Sequence, residues 1–225
     1  MSWRQSFLMI LLLPCCLGFS AFSYHLLSAN IISQVALTAA DTQRIETVLT
    51  GQRERLEGLF HQQLREKPRV QIYASTQAFT DATGAAWFVG GITQRGQIYL
   101  QPLAALVRKQ KLDAILRHEY THVFVETFFP DLPAFVNEGV ALWFSGFEVE
   151  PLPAVSSEQL ARWEANPSYF ERAADMNRYV ASCRGFIADM IAQDGLDATL
   201  ARIQEQDRVL FEQDYRQFFQ KNFAQ

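Results

Sequence analysis

His118-Glu119-Tyr120-Thr121-His122 is the stretch on which the fold turns, because it sets two imidazoles four residues apart with a carboxylate between them. On an α-helix, residues i and i+4 share one face, so both rings can reach a single metal ion at about 2.0–2.1 Å. Glu119, next to the first imidazole, stands beside the same point and can take a proton from a metal-bound water and pass it to a leaving group. The neighbours of the motif suit a helix. Leu112-Asp113-Ala114-Ile115-Leu116-Arg117 leads in, and Val123-Phe124-Val125-Glu126-Thr127 continues without Gly or Pro until Pro130 stops the run. These residues predict one buried helix.

After Pro130-Asp131-Leu132, Pro133 is suited to the first position of a second helix through Phe135, Val136, Glu138, Leu142 and Phe144, with Gly146 to end it. A short connection favours antiparallel neighbours, which brings Glu138 back opposite the two histidines. A carboxylate among residues such as Phe135 and Leu142 is costly unless it is paired or bound to a metal. The expected ligand set is therefore His118, His122 and Glu138 around one zinc ion per chain, with Glu119 as general base and acid.

The His-Glu-x-x-His motif, followed by Asn137-Glu138-Gly139-Val140-Ala141 and Ser145-Gly146, resembles the gluzincin zinc metallopeptidases, especially the small peptidase MA-like proteins. The resemblance covers roughly residues 68–222, and the zinc motifs are its distinctive part. It implies an α+β, zincin-like fold in which a small mixed sheet packs on the active-site helix and a helical C-terminal subdomain follows. It implies zinc-dependent hydrolysis of peptide bonds, with a peptide or protein as substrate. It also implies a donor for the oxyanion that forms at the attacked carbonyl. His25 and His61 lie far upstream, so Tyr179 is the first choice, with Arg184 and Tyr169 behind it. Many relatives carry an acid four residues after the third ligand, where this chain has Leu142; Glu126 and Asn137 are the candidates to orient a ligand histidine in its place. The alternatives are a catalytically weak zinc-holding binding or assembly protein of the cell envelope, and hydrolysis of a non-peptide amide by the same chemistry.

With 225 residues, 49% of them hydrophobic and 20% charged, the chain is sized for one ordinary core. Its net charge of −4 offers no basic surplus for nucleic acid. Arg4 precedes apolar residues from Phe7 to Leu13 and from Leu17 to Phe22, and Ala21-Phe22-Ser23 offers a small-x-small cleavage site. Residues 1–23 are thus expected to be a signal peptide cut after Ser23 or an uncleaved signal anchor. The apolar block, 7–22, falls short of the roughly 20 residues of a membrane span. Either case exports the remainder to the periplasm or the cell exterior, and the second tethers it to the membrane. Outside this block the only cysteine is Cys183, so no internal disulfide is expected.

Residues 24–67 are expected to form an N-terminal region built on one long amphipathic helix. Asp41 is its N-cap, Ile45, Val48, Leu49, Leu56, Leu59, Phe60 and Leu64 give it an apolar face, and Lys67-Pro68 ends it. In the expected metallopeptidase domain, 68–225, Val70 to Tyr73 alternates as a strand, Thr80 to Gly84 is rich in turn residues, and Gly90 to Leu100 reads as a hairpin. The resemblance makes Ala85 to Thr93 the edge strand on which a substrate backbone would be held. From Ser156 onwards Leu160, Trp163, Tyr179, Phe186, Met190, Leu200 and Ile203 recur at helical spacing.

Overall fold

The computed structural model describes residues 21–164 and 172–223, and five short strands among them form a single mixed sheet. These are β1 (Phe22–His25), β2 (Asn30–Ser33), β3 (Arg69–Ile72), β4 (Gly91–Gln94) and β5 (Gln97–Leu100), in the order β1-β2-β3-β5-β4. The central three run parallel, and β1 and β4 pair antiparallel at the two edges. Alternation along each strand puts Ile31, Val70 and Ile98 side by side in register, all buried, with Ile72 and Leu100 in the next row. The β4–β5 turn has positive φ at both Arg95 (53°) and Gly96 (71°), the backbone of a two-residue hairpin whose twist matches its strands.

The helices among the described residues are α1 (Ala39–Phe60), α2 (Thr76–Thr83), α3 (Leu103–Arg108), α4 (Leu112–Phe128), α5 (Ala134–Ser145), α6 (Ser157–Glu164), α7 (Ala173–Asp194), α8 (Leu196–Glu205) and α9 (Arg208–Phe223). The protein is α+β. The motif helix α4 packs between the sheet and α1, α5 folds back on α4, and α7 packs on α5. Phe60 at the end of α1 sits within 5.2–5.7 Å, ring to ring, of Phe124, Phe129 and Phe144, so three helices and a loop share one aromatic cluster.

Several expectations of secondary structure need correction. Asp41 is not the cap of α1. Thr38 is, and Asp41 reaches back to accept the Thr38 N–H at 2.9 Å while its own N–H donates to Thr38 Oγ1, a capping box. The helix stops at Phe60 with His61 in the left-handed region, well before Pro68. Its end is held by Arg53, which donates to the Leu64 carbonyl, and by Glu57, which accepts the Leu64 N–H. Thr80 to Gly84 is the end of α2 and its glycine cap. Of the expected edge segment, Ala85 to Thr93, only the last three residues are strand, the start of β4. Strands β1 and β2 were not anticipated, because four-residue strands beside a long apolar run show no separate alternation. Ser23, the expected cleavage position, lies inside β1 opposite Ile32. No helix among the described residues is long and apolar enough to cross a membrane. Tyr169 and Phe170 fall outside the described residues.

One polar side chain crosses the apolar layer between α1 and its neighbours. Gln52, 2% exposed, donates to Thr121 Oγ1 at 2.8 Å and to the Phe144 carbonyl at 3.3 Å, tying α1 to α4 and α5. Gln52→Leu keeps the volume but leaves buried acceptors with fewer partners, and should cost about 1–3 kcal/mol. Thermal unfolding of the variant beside wild type checks this; an unchanged melting temperature would make the bridge energetically idle.

Candidate metal centre

On α4, successive turns bring His118 and His122 to the same face, and their rings stand perpendicular at 4.6 Å between centroids. Pro133 starts α5 and Gly146, at φ 67°, ends it, so the helix returns along α4 as its termini predict. Glu138 then meets both rings. Its Oε1 lies 3.6 Å from His118 Nε2 and its Oε2 lies 3.4 Å from His122 Nε2, while the two Nε2 atoms are 3.1 Å apart. Four donor atoms bonded tetrahedrally at about 2.0–2.2 Å would be separated by about 3.3–3.6 Å. These three side chains therefore have both the donor chemistry and the spacing to hold a metal ion, and each offers an atom within 4.8 Å of the others.

The outer nitrogen of His122 is fixed by Asn137, whose Oδ1 lies 3.0 Å from Nδ1. An acceptor at Nδ1 selects the tautomer that leaves Nε2 free for a metal. Of the two residues considered for this task, Asn137 is the one in hydrogen-bond contact with His122. Glu126 is exposed and lies near the Gly96 backbone, and Leu142 is buried. His118 Nδ1 is buried near the Ala141 carbonyl without reaching hydrogen-bond geometry, and its ring packs 5.9 Å from Phe147.

Electrostatics follow from burial. Loss of water drives the His118 imidazolium down to about 4, against the pull of Glu138. Burial acts in the same sense on His122, but there Glu138, Glu119 and Asn137 outweigh it and lift the ring to about 9. Burial also works against the Glu138 carboxylate, yet the two histidines hold it below the usual range. Glu119 has less compensation. Its burial pushes the carboxyl up to about 7, although His122 and the Thr93 hydroxyl favour the charged form. A divalent cation among these groups would compensate the buried carboxylates together.

Thr93 was the residue whose role the sequence concealed. It stands on edge strand β4, its hydroxyl 2.9 Å from Glu119 Oε2 and 3.0 Å from the Glu119 carbonyl. Gly91, two residues earlier on the same face, makes the approach possible. A Cβ there would lie 2.9 Å from both Ile115 Cγ2 and Leu100 Cδ2, and 3.2 Å from Glu119 Cγ. Small residues at alternate positions of the strand were the available signal. Gly139 does the same for α5: a Cβ would come within 2.4 Å of the Cys183 carbonyl oxygen on α7. The glycine after Glu138 is thus a packing notch for α7.

Tyr179 lies on the face of α7 that packs against α5, buried and edge-on to Trp163 at 6.0 Å. Arg184 stacks over Trp143 at 5.3 Å. A cavity of about 480 Å³ opens between residues 149–154, α7 and α9, and none of the metal-centre residues lines it. Compared with known proteins, the chain matches no family model and is significantly similar to no curated protein.

Two outcomes follow. Asn137→Ala should weaken metal binding about 10–100-fold with the fold intact, measured by competition with a chelating dye. Gly139→Ala should cost about 1–3 kcal/mol, because the obstructing atom belongs to a helix backbone, and thermal unfolding reads this directly.

Proposed function

We propose that the protein is a zinc metallopeptidase of the gluzincin kind, acting on peptides or proteins, with His118, His122 and Glu138 as ligands. The observation that carries this reading is a fourth group. Metal binding alone has no use for Glu119, yet a buried carboxylate stands one residue from the first ligand, held by Thr93 from the strand alongside.

Zinc held by the three ligands supplies Lewis acidity toward a scissile carbonyl and toward water. The rest falls to the chain's own residues. Glu119 takes the proton of the attacking water and returns it to the leaving amine, and Thr93, bonded to Oε2, fixes the orientation of the carboxyl. Asn137 holds His122 in register. As the edge strand beside α4, β4 has one side not paired within the sheet, on which an extended substrate backbone can add. Tyr179 is the proposed oxyanion donor. Export to the periplasm or the cell exterior, with or without a tether through residues 7–22, belongs to the same proposal.

Zinc stoichiometry of the purified chain, measured beside Glu138→Ala and Glu119→Gln, tests it. One zinc per chain is expected in wild type, with affinity sharply lowered by Glu138→Ala. Glu119→Gln should retain zinc and lose about 10²–10⁴-fold in cleavage of a peptide library. Cleavage by Glu119→Gln at the wild-type rate would refute the mechanism, and a folded chain that holds no supplied zinc would refute the whole reading.

A further inference from the structure

Large apolar side chains left in water are unevenly distributed. Among the described residues there are seven: Phe22, Leu27, Val35, Trp87, Val107, Val209 and Leu210. Four of them cluster by topology. Strands β2, β3 and β5 all finish at one end of the sheet, and β1 and β4 begin there. Phe22 opens β1, Val35 follows β2 by two residues, and α3, which carries Val107, follows β5. Trp87, 69% exposed, is placed at this end by Gln101, which directly follows β5 and donates to the Trp87 carbonyl at 2.7 Å. The loops are tied together by side chains. Gln34 accepts the Ala74 N–H at 3.0 Å, and Thr76 lies 3.2 Å from Gln101.

Two further observations say what meets this end. The apolar stretch 7–22 runs into the fold at Phe22, so the chain reaches the sheet through this end. Beside Val107 stand Arg108 and Lys109, both exposed and with no ion-pair partner among the described residues. The nearby acids are engaged, Asp41 in the cap of α1 and Asp113 with Arg44 at 2.7 Å. An exposed Trp, apolar neighbours and a basic rim match the headgroup layer of a bilayer, where indole rings and snorkelling cations settle.

We propose that this end of the sheet is a membrane-contact surface that lies on an anionic bilayer, with Trp87 in the headgroup region and Arg108 and Lys109 against acidic phosphates. The assignment is independent of the metal chemistry. The consequence for the site is positional. Helix α4 starts at this end, and its Glu119 packs against β4 residues Gly91 and Thr93, so docking holds the metal centre close to the membrane.

The test uses the full chain reconstituted in vesicles carrying bromine-labelled acyl chains, either phosphatidylcholine alone or phosphatidylcholine with phosphatidylglycerol. Trp87→Phe removes one of four tryptophans from an exposed position, and unfolding curves confirm that it folds. On anionic vesicles, wild type should show a bromine-quenched emission component that Trp87→Phe lacks. The double variant Arg108→Glu with Lys109→Glu should lose at least half of that component, as should wild type on neutral vesicles. Equal quenching of wild type and Trp87→Phe would overturn the proposal and leave the face to a protein partner. Equal quenching on neutral and anionic vesicles would overturn the part given to Arg108 and Lys109. Loss of zinc or of peptidase activity moves none of these readouts.

Discussion

A carboxylate and two imidazoles meet on the inner faces of two buried helices, and the surrounding architecture is arranged to make that meeting tolerable. Glu138 could not sit among Phe135, Val136 and Leu142 without opposite charge or a metal. That need fixes the direction of α5 against α4 and the length of the connection between them. It makes the residue before Glu138 a hydrogen-bonding one, so that His122 presents its inner nitrogen. It also makes the residue after Glu138 a glycine, since α7 presses its backbone against that position.

What could be read in the sequence was whatever depends on residues close together in the chain. The two histidines, the break at Pro130, the restart at Pro133 and the stop at Gly146 are all local signals, and α4 and α5 lie where those signals place them. The β4–β5 hairpin was visible for the same reason. The distant couplings were hidden. Gln52 reads as an ordinary polar residue on an amphipathic helix, yet it is buried against residues 69 and 92 positions away. Strand β2 exists because β3 gives it a partner, and β1 because β2 does, and four residues of alternation could not announce them against the apolar block alongside in the sequence. Small residues at alternate positions of β4 hinted at a close approach on that face, but nothing in a single strand says which helix the face will meet, so the contact of Thr93 with Glu119 stayed hidden.

Glu119 shows why the edge strand matters as much as the ligand helices. Its carboxyl is buried enough to be pushed up to about 7, and the neighbour that shapes its position comes from the sheet. Gly91 and Thr93 are small on one face of β4, so strand and helix come near enough for a hydroxyl to bridge them. A bulkier pair would separate the layers. The geometry of the Glu119 carboxyl is therefore set by side-chain volume as well as by charge.

All the groups of the candidate metal centre, from Gly91 to Phe147, belong to one continuous quarter of the chain. The hairpin and the two helices that carry them are joined by short connections, and closing short loops costs little conformational entropy. Strand β2, by contrast, must find β3 across the whole of α1. In kinetic terms the centre is a low-contact-order module inside a slower topology. Its side chains can come together while the parallel strands are still searching for register, so assembly of the candidate site and completion of the sheet need not be the same event.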